Sequence, residues 1–203
     1  MSDPVARSEE MRSSGTGPHT GSGFGDRRTA AIGLLLDRGA DTLEHPGGML
    51  FAHLQRVEAM LGAWGARPDL RLAGLCHAFY GTDGFATALG DPADRAVLGE
   101  AVGVAAERLV YFYASCDRAR SLPHLTAADG PYVDRFSGVV TNPPWELRRD
   151  FAELTVANEL DVLSSAPRLR EIHGPALLAR FADWRPLLSA SARRAVHDFG
   201  RQP

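Results

Sequence analysis

The sequence has few cysteines, no long apolar run and no excess of basic residues, and each absence excludes a class of protein. Cys76 and Cys116 are too few for a disulfide framework and suit a reducing compartment. No apolar run approaches the roughly 20 residues that a membrane helix needs, and the N-terminus shows no secretory signal. A net charge of −3 offers no basic face to nucleic acid. We therefore expect a cytoplasmic protein that binds neither nucleic acid nor membranes.

Residues 1–25 are also nearly free of large apolar side chains and are rich in glycine, serine and charge. Such a segment buries too little surface to offset the entropy lost on ordering, which predicts a disordered tail. The hydrophobic and charged fractions of the chain, 44% and 23%, are those of a globular protein. The sequence therefore predicts a tail at 1–25 and one domain at 26–203.

Apolar residues recur at three- and four-residue steps through most of this domain, as in amphipathic helices. Met49, His53, Val57, Met60 and Trp64, for example, share one helical face. Glycine and proline mark the helix ends. The predicted helices span 30–38, 49–64, 70–80, 91–113, 147–163, 175–184 and 185–200.

One segment departs from helical spacing. Residues 131–142 place two short β-type runs on either side of Ser137-Gly138, which predicts a β-hairpin closed by a tight turn. Asp134 and Arg135 within it are either a solvated pair or part of a flap over a pocket. The predicted fold class is all-α, a helical bundle with this small hairpin as an insert.

Two histidines stand in apolar sequence and are 24 residues apart, His53 early on one helix and His77 late on the next. An antiparallel pair of helices would bring both to the same end, where their imidazoles could share a metal. The alternative is two core histidines, each hydrogen-bonded to a carbonyl or carboxylate.

The histidine spacing, the LAGLCHA stretch that carries His77 and the ANELD stretch at 157–161 resemble the HD superfamily of helical metal-dependent proteins. The resemblance covers most of residues 42–163 and implies an HD-like bundle. Two positions depart from the motif: Ala78 stands where an aspartate follows the second histidine, and Asn158 where the final aspartate belongs. An amide oxygen is a weak ligand for Zn²⁺ or Fe²⁺.

The segment HAFYGTDGF is similar to an uncharacterised bacterial branch of HD-like proteins with an H-x-x-YGT signature. This likeness implies an architecture and no particular reaction. Tyr80 and Thr82 would present hydroxyls at a pocket lip, unless the turn at Gly81 only ends a helix.

Four further residues are candidates for the same pocket. His45 or Asp83 could supply a third metal ligand, and Arg118 could bind a carboxylate or phosphate. Asp161 shares a helical stripe with Asn158, where buried polar groups need partners.

These residues predict a small-molecule enzyme whose modified HD pocket is centred on His53 and His77. With Asn158 they are the candidate catalytic residues, acting as ligands of one divalent metal (Fe, Zn or Mn) or as acid/base groups. The alternative is a non-catalytic ligand-binding or regulatory module derived from an HD domain.

Overall fold

The structure, a computed structural model, describes residues 22–202. The helices in this part of the chain are α1 (Ser22–Asp37), α2 (Leu50–Ala63), α3 (Pro68–Cys76), α4 (Ala96–Val102), α5 (Val104–Ala114), α6 (Arg118–Ser121), α7 (Trp145–Ser165), α8 (Pro167–Asp183) and α9 (Ala190–Gly200). Two antiparallel hairpins accompany them, β1 (Glu44–His45) with β2 (Gly48–Met49), and β3 (Tyr132–Val133) with β4 (Val140–Thr141).

The predicted fold class is confirmed, since the described residues are mostly helical and carry a small hairpin where one was expected. The predicted disordered tail lies outside the described residues, except for its last four positions, 22–25. Those four form the first turn of α1, so the boundary predicted at residue 25 is wrong. Phe24 packs against the hydrophobic core, which gives this turn a tertiary contact that composition does not show.

The centre of the fold is the helix pair α2–α3 packed against α7. Gly74 on α3 lets the pair approach closely, because a Cβ at that position would lie 2.5 Å from Leu61 Cδ1 on α2. Helix α7 is buried along nearly its whole length, with Phe151, Leu154 and Leu160 among its core residues. Polar side chains on α7 therefore enter the core beside the α2–α3 pair.

Besides the earlier start of α1, at Ser22, and the later start of α9, at Ala190, the structure corrects three predicted helix boundaries. Helix α3 ends at Cys76 instead of Tyr80, and His77 is its C-cap residue. The helix expected over 91–113 divides into α4 and α5 at Gly103, whose φ of 85° a regular helix does not permit. Helix α8 begins at Pro167, before the predicted start, and continues through Pro175. Proline has no backbone N–H, so Pro175 removes one helical hydrogen bond, but α8 continues past it.

The hairpin predicted near 131–142 is confirmed, with Tyr132 paired to Thr141 and Val133 to Val140. Its turn is longer than the tight turn expected, and Asp134 Oδ1 accepts the backbone N–H groups of Phe136 and Ser137 within it. Such side chain-to-backbone hydrogen bonds form an Asx turn. The loop between the strands therefore contains six residues, 134–139, and not only the two at Ser137-Gly138.

The hairpin β1–β2 was not predicted. Gly47, in its turn, has a φ of 85°, and a Cβ there would lie 2.2 Å from the Cβ of Ser165 at the end of α7. The hairpin thus packs against α7 at a position where only glycine fits. This contact holds His45, the last residue of β1, beside the centre of the fold.

No helix among residues 22–202 combines the length and apolar character needed to cross a membrane.

Candidate functional site

The structure brings His53 and His77 together in the interior. His53 lies on α2 and His77 just after α3, and both side chains are buried. Their Nε2 atoms are 3.3 Å apart, and the rings meet edge to face. The predicted convergence of the two imidazoles at one end of the helix pair is therefore present.

Each imidazole is oriented through its other nitrogen. His53 Nδ1 lies 2.7 Å from Asp161 Oδ2, and Arg56 donates two hydrogen bonds to the same carboxylate at 2.7 and 2.9 Å. His77 Nδ1 lies 2.8 Å from the carbonyl oxygen of Gly74. Because carboxylate and carbonyl oxygens only accept, both Nδ1 atoms carry the proton.

The Nε2 atoms of two neutral histidines in this arrangement would both present lone pairs. His53 Nε2 also lies 3.0 Å from Asn158 Oδ1, and the orientation of that amide follows from its Nδ2, which donates to Glu159 Oε1 at 3.2 Å. Three electron-pair donors therefore meet in a buried place. Their mutual repulsion demands a positive charge between them, either a proton on His53 Nε2 or a bound cation.

Burial controls the protonation of the neighbouring groups. It lowers the pKa of His77 to about 3, helped by the charge of His53, and it lowers the pKa of His45 to about 4 for the same two reasons. Burial by itself would raise the pKa of Asp161, but the hydrogen bonds from His53 and Arg56 outweigh it and lower that pKa. At neutral pH the site thus contains neutral His45 and His77 and an ionised Asp161.

His45 covers the outer side of the pair. Its ring stacks on that of His53 with centroids 4.0 Å apart, and its Nδ1 lies 3.2 Å from the carbonyl oxygen of Pro46. Phe85 contacts the other edge of the His45 ring. Stacking places the face of the imidazole on His53, whereas a shared metal would need a ring nitrogen pointed at it.

The donor atoms fit a divalent metal in part. Two imidazole nitrogens on one tetrahedral zinc ion are about 3.3–3.4 Å apart, and the Nε2 atoms of His53 and His77 have this separation. In residues 22–202 no three His, Cys, Asp or Glu side chains are grouped so that they could hold a metal ion. Asn158 is therefore the third protein donor at hand, and water or substrate would have to supply the rest.

A cavity of about 510 Å³ opens beside the histidine pair. His77 and Asn158 line it, whereas His53 and Asp161 lie behind them. The volume falls within the range usual for small-molecule sites, about 300–1,000 Å³. The residues that line it are His45, Pro46, His77, Ala78, Thr82, Gly84, Phe85, Arg118, Asn158, Glu159, Val162, Leu163, Leu169, His173, Ala176, Leu177 and Arg180.

The charged side chains of this cavity are Arg118, Glu159 and Arg180. Arg118 donates to Glu159 Oε1 at 3.2 Å and to the Tyr113 hydroxyl at 3.1 Å. Burial alone would lower the pKa of Arg118, but Tyr113 and Glu159 outweigh it and raise that pKa. Arg180 is exposed and has no ion pair with the described residues. Arg118 and Arg180 thus place two positive charges at the cavity wall, and Glu159 places one negative charge there.

Two candidate residues lie away from the cavity. Tyr80 is buried, and its hydroxyl donates to Glu107 Oε1 on α5 at 3.1 Å. Asp83, expected as a possible third ligand, is exposed and accepts the backbone N–H of Arg118 at 2.9 Å, and it does not line the cavity. Thr82 does line the cavity, and its Oγ1 accepts the Phe85 N–H. Of the HAFYGTDGF segment, five residues line the cavity: His77, Ala78, Thr82, Gly84 and Phe85.

The flap over the pocket is β1–β2, which carries His45, and not the hairpin at 131–142. In the latter, Asp134 accepts from the Tyr111 hydroxyl and Arg135 donates to the carbonyl of Ala114. Neither residue lines the cavity. The flap reading of Asp134 and Arg135 is thus wrong, because both side chains are bound to α5.

The sequence reasoning missed Glu159, His173 and Arg180. Glu159 follows Asn158 directly, and its charge on a buried helix was a signal. Leu169, His173, Leu177 and Arg180 recur at three- and four-residue steps, which places them on one face of α8. The predicted start of this helix at Pro175 leaves out Leu169 and His173, and with them half of that face.

Comparison with known proteins gives one match. Residues 34–118 match the model of a family described as a domain of unknown function, DUF6817. No curated protein and no solved structure matches the chain. The matched segment includes His45, His53, His77 and Arg118, whereas Asn158 on α7 and the wall formed by α8 lie beyond it.

Proposed function

We propose that this chain is a small-molecule enzyme whose pocket is centred on His53 and His77. The observation that carries the proposal is the meeting of two imidazole Nε2 atoms and the Asn158 amide oxygen at the inner wall of a cavity. Burying a cluster of acceptors that needs a positive charge costs stability, and such costly clusters are typical of functional sites.

The low pKa of His77 favours one of two roles for that residue. A general base works best when its pKa is near the working pH, and the pKa of His77 is about 3. A neutral imidazole is what metal binding requires. We therefore assign His77 and His53 as ligands, with Asp161 and the Gly74 carbonyl holding the two rings in place.

One divalent metal (Fe, Zn or Mn) would be held by His53, His77 and Asn158. When bound, it would supply Lewis-acid activation of a water or of a substrate oxygen. Arg118 orients a substrate in the cavity, and the apolar side chains of α7 and α8 exclude water from it.

The resemblance to the HD superfamily supports this assignment, because His53, His77 and Asn158 occupy the positions of HD metal ligands. The Ala78 methyl lines the cavity where the motif would place a carboxylate. We propose an HD-like, cytoplasmic, bacterial protein whose partners are small molecules and not nucleic acid.

A non-catalytic binding module is the second candidate, and a different observation favours it. A proton on His53 Nε2 could serve Asn158 Oδ1 and His77 Nε2 while Asp161 balances its charge. The network would then be complete without metal, and the cavity would bind a ligand without reaction.

Metal analysis separates the two candidates. We expect protein purified without added metal to contain about one equivalent of iron, zinc or manganese, and His53→Ala and His77→Ala to lose it. His197→Ala removes an exposed histidine on α9 and should retain the metal. Circular dichroism shows whether each variant is folded.

A gain of function keeps the test independent of folding losses. Asn158→Asp restores a carboxylate at the third position and should raise metal affinity by roughly tenfold or more. Absence of metal from the wild type, together with no gain in Asn158→Asp, would overturn the enzyme proposal in favour of the binding module.

A further inference from the structure

The cavity has a divided lining. Apolar side chains of α7 and α8, including Val162, Leu163, Leu169 and Leu177, make up the apolar part of its wall. Such a wall favours an aliphatic or aromatic body over a sugar or a peptide backbone, because it offers those groups no hydrogen bonds.

The charge is concentrated in a cluster of Arg118, Glu159 and Arg180. These three residues also line a smaller cavity of about 180 Å³, so they stand where the two cavities adjoin. Arg118 uses two of the five guanidinium N–H groups on Glu159 and Tyr113. The remaining N–H groups of Arg118 and all five of Arg180 are more donors than the carboxylate of Glu159 can accept.

The combination is that of an acid-binding site. Guanidinium groups bind carboxylates and phosphates in a bidentate way, and the attraction is stronger where water is partly excluded. Arg118 is suited to this role because its side chain is only 21% exposed. Glu159 orients Arg118, and its negative charge keeps the oxyanion of a ligand on the side of Arg118 that faces away from Glu159.

We infer that the ligand is a small amphipathic acid. Its terminal oxyanion, a carboxylate or a phosphate, binds Arg118 and Arg180, and its apolar body lies along α7 and α8. The inference rests on the proposed function only for the reacting end of the ligand, which it places beside His77 and Asn158.

Three probes of equal chain length test it: hexanoate, hexyl phosphate and the neutral hexanamide. Binding is measured by calorimetry and by the shift in Tm at constant ionic strength. We expect at least one of the two anions to bind about tenfold more tightly than hexanamide, and its affinity to fall as salt is added. Which anion binds identifies a carboxylate or a phosphate ester as the natural class.

The variant of choice is Arg180→Gln, because Arg180 is exposed and its loss leaves the core intact. Arg168→Gln, another exposed arginine of α8 that does not line the cavity, is the control. We expect Arg180→Gln to weaken the anion roughly tenfold and Arg168→Gln to change its affinity less than twofold.

Equal affinity for hexanamide and both anions, or unchanged anion affinity in Arg180→Gln, would overturn the inference. The metal content of Arg180→Gln separates this failure from that of the proposed function. Anion binding that needs Arg180, in a protein that holds no metal and gains none in Asn158→Asp, supports the acid-binding site and overturns the enzyme proposal. One equivalent of bound metal with no preference for anions supports the enzyme proposal and overturns the acid-binding site.

Discussion

The two walls of the cavity are built in opposite ways. The inner wall is formed by His77 and α7 and is backed by α2 and α3, where His53 and Asp161 are buried and hydrogen-bonded to each other. In residues 22–202 no buried side-chain nitrogen or oxygen is without a partner. The outer wall is α8, which buries only Gly174 and Phe181 among its described residues.

This difference indicates a division of labour. A buried polar network has one arrangement, because each group loses a partner if another moves. An exposed helix with few core contacts opens and shifts at lower free-energy cost. The inner wall is thus suited to hold reacting groups, and α8 is suited to admit ligands and to select them.

The largest effect is expected on the inner wall. Asp161→Ala should lower the free energy of unfolding by about 3–5 kcal/mol, because it leaves His53 buried without its partner and breaks the bonds from Arg56. Glu171→Ala on the exposed face of α8 should cost less than about 0.5 kcal/mol. Urea unfolding of the two variants measures both, and similar losses would contradict the contrast between the walls.

A purely apolar pair of substitutions sharpens the same contrast. Leu54→Ala removes a side chain that is 0% exposed on α2 and should destabilise the protein by about 3 kcal/mol. Ile172 on α8 is 59% exposed, so Ile172→Ala should stay within about 0.5 kcal/mol of the wild type. Thermal unfolding followed by circular dichroism is sufficient. A large loss in Ile172→Ala would show that α8 is more tightly held than its exposure indicates.

The smallest effect concerns pH and lies at the hairpin between the walls. The pKa of His45 falls from 6.5 to about 4 in the folded protein. Between pH 6.5 and 4 the imidazole binds a proton in the unfolded chain but not in the folded one, which favours unfolding. The contribution of neutral His45 to the free energy of unfolding is therefore complete above pH 6.5 and is lost as the pH falls toward 4. The free energy of unfolding should therefore fall by about 1 kcal/mol less in His45→Gln than in the wild type between pH 6.5 and 4.5. The difference is smaller than the full pKa shift would give, because His45 is partly exposed.

Urea unfolding at four pH values from 4.5 to 7.5, with a chelator present, measures the difference in slope between His45→Gln and the wild type. Parallel slopes would mean that the His45 imidazole is solvated as in the unfolded chain. The stacking on His53 would then contribute nothing to its ionisation.

Much of the inner wall could be predicted from the sequence. The spacing of His53 and His77 on two adjoining helices already implied that they meet, and Asn158 and Asp161 stood out as polar residues on an apolar stripe. The prediction worked because helical periodicity converts spacing into direction. It did not work for Tyr80, since α3 ends at Cys76 and the following turn sends that side chain toward Glu107.

The outer wall could not be predicted in this way. Helix α8 is long and mostly exposed, so its apolar pattern is weak, and Pro175 suggested a helix start where there is none. The hairpin that carries His45 has strands of two residues each, too short for an alternation of polar and apolar side chains to be visible.

The sequence by itself determined a helical domain and a pair of histidines that converge, because both follow from local periodicity and from the turn between α2 and α3. Only the tertiary structure decided which nitrogen of each ring faces its partner, and that Arg118, Glu159 and Arg180 share one cavity. Those contacts join residues far apart in the chain, such as His53 and Asp161 at a separation of 108. Their geometry depends on how whole helices pack, and no local pattern encodes it.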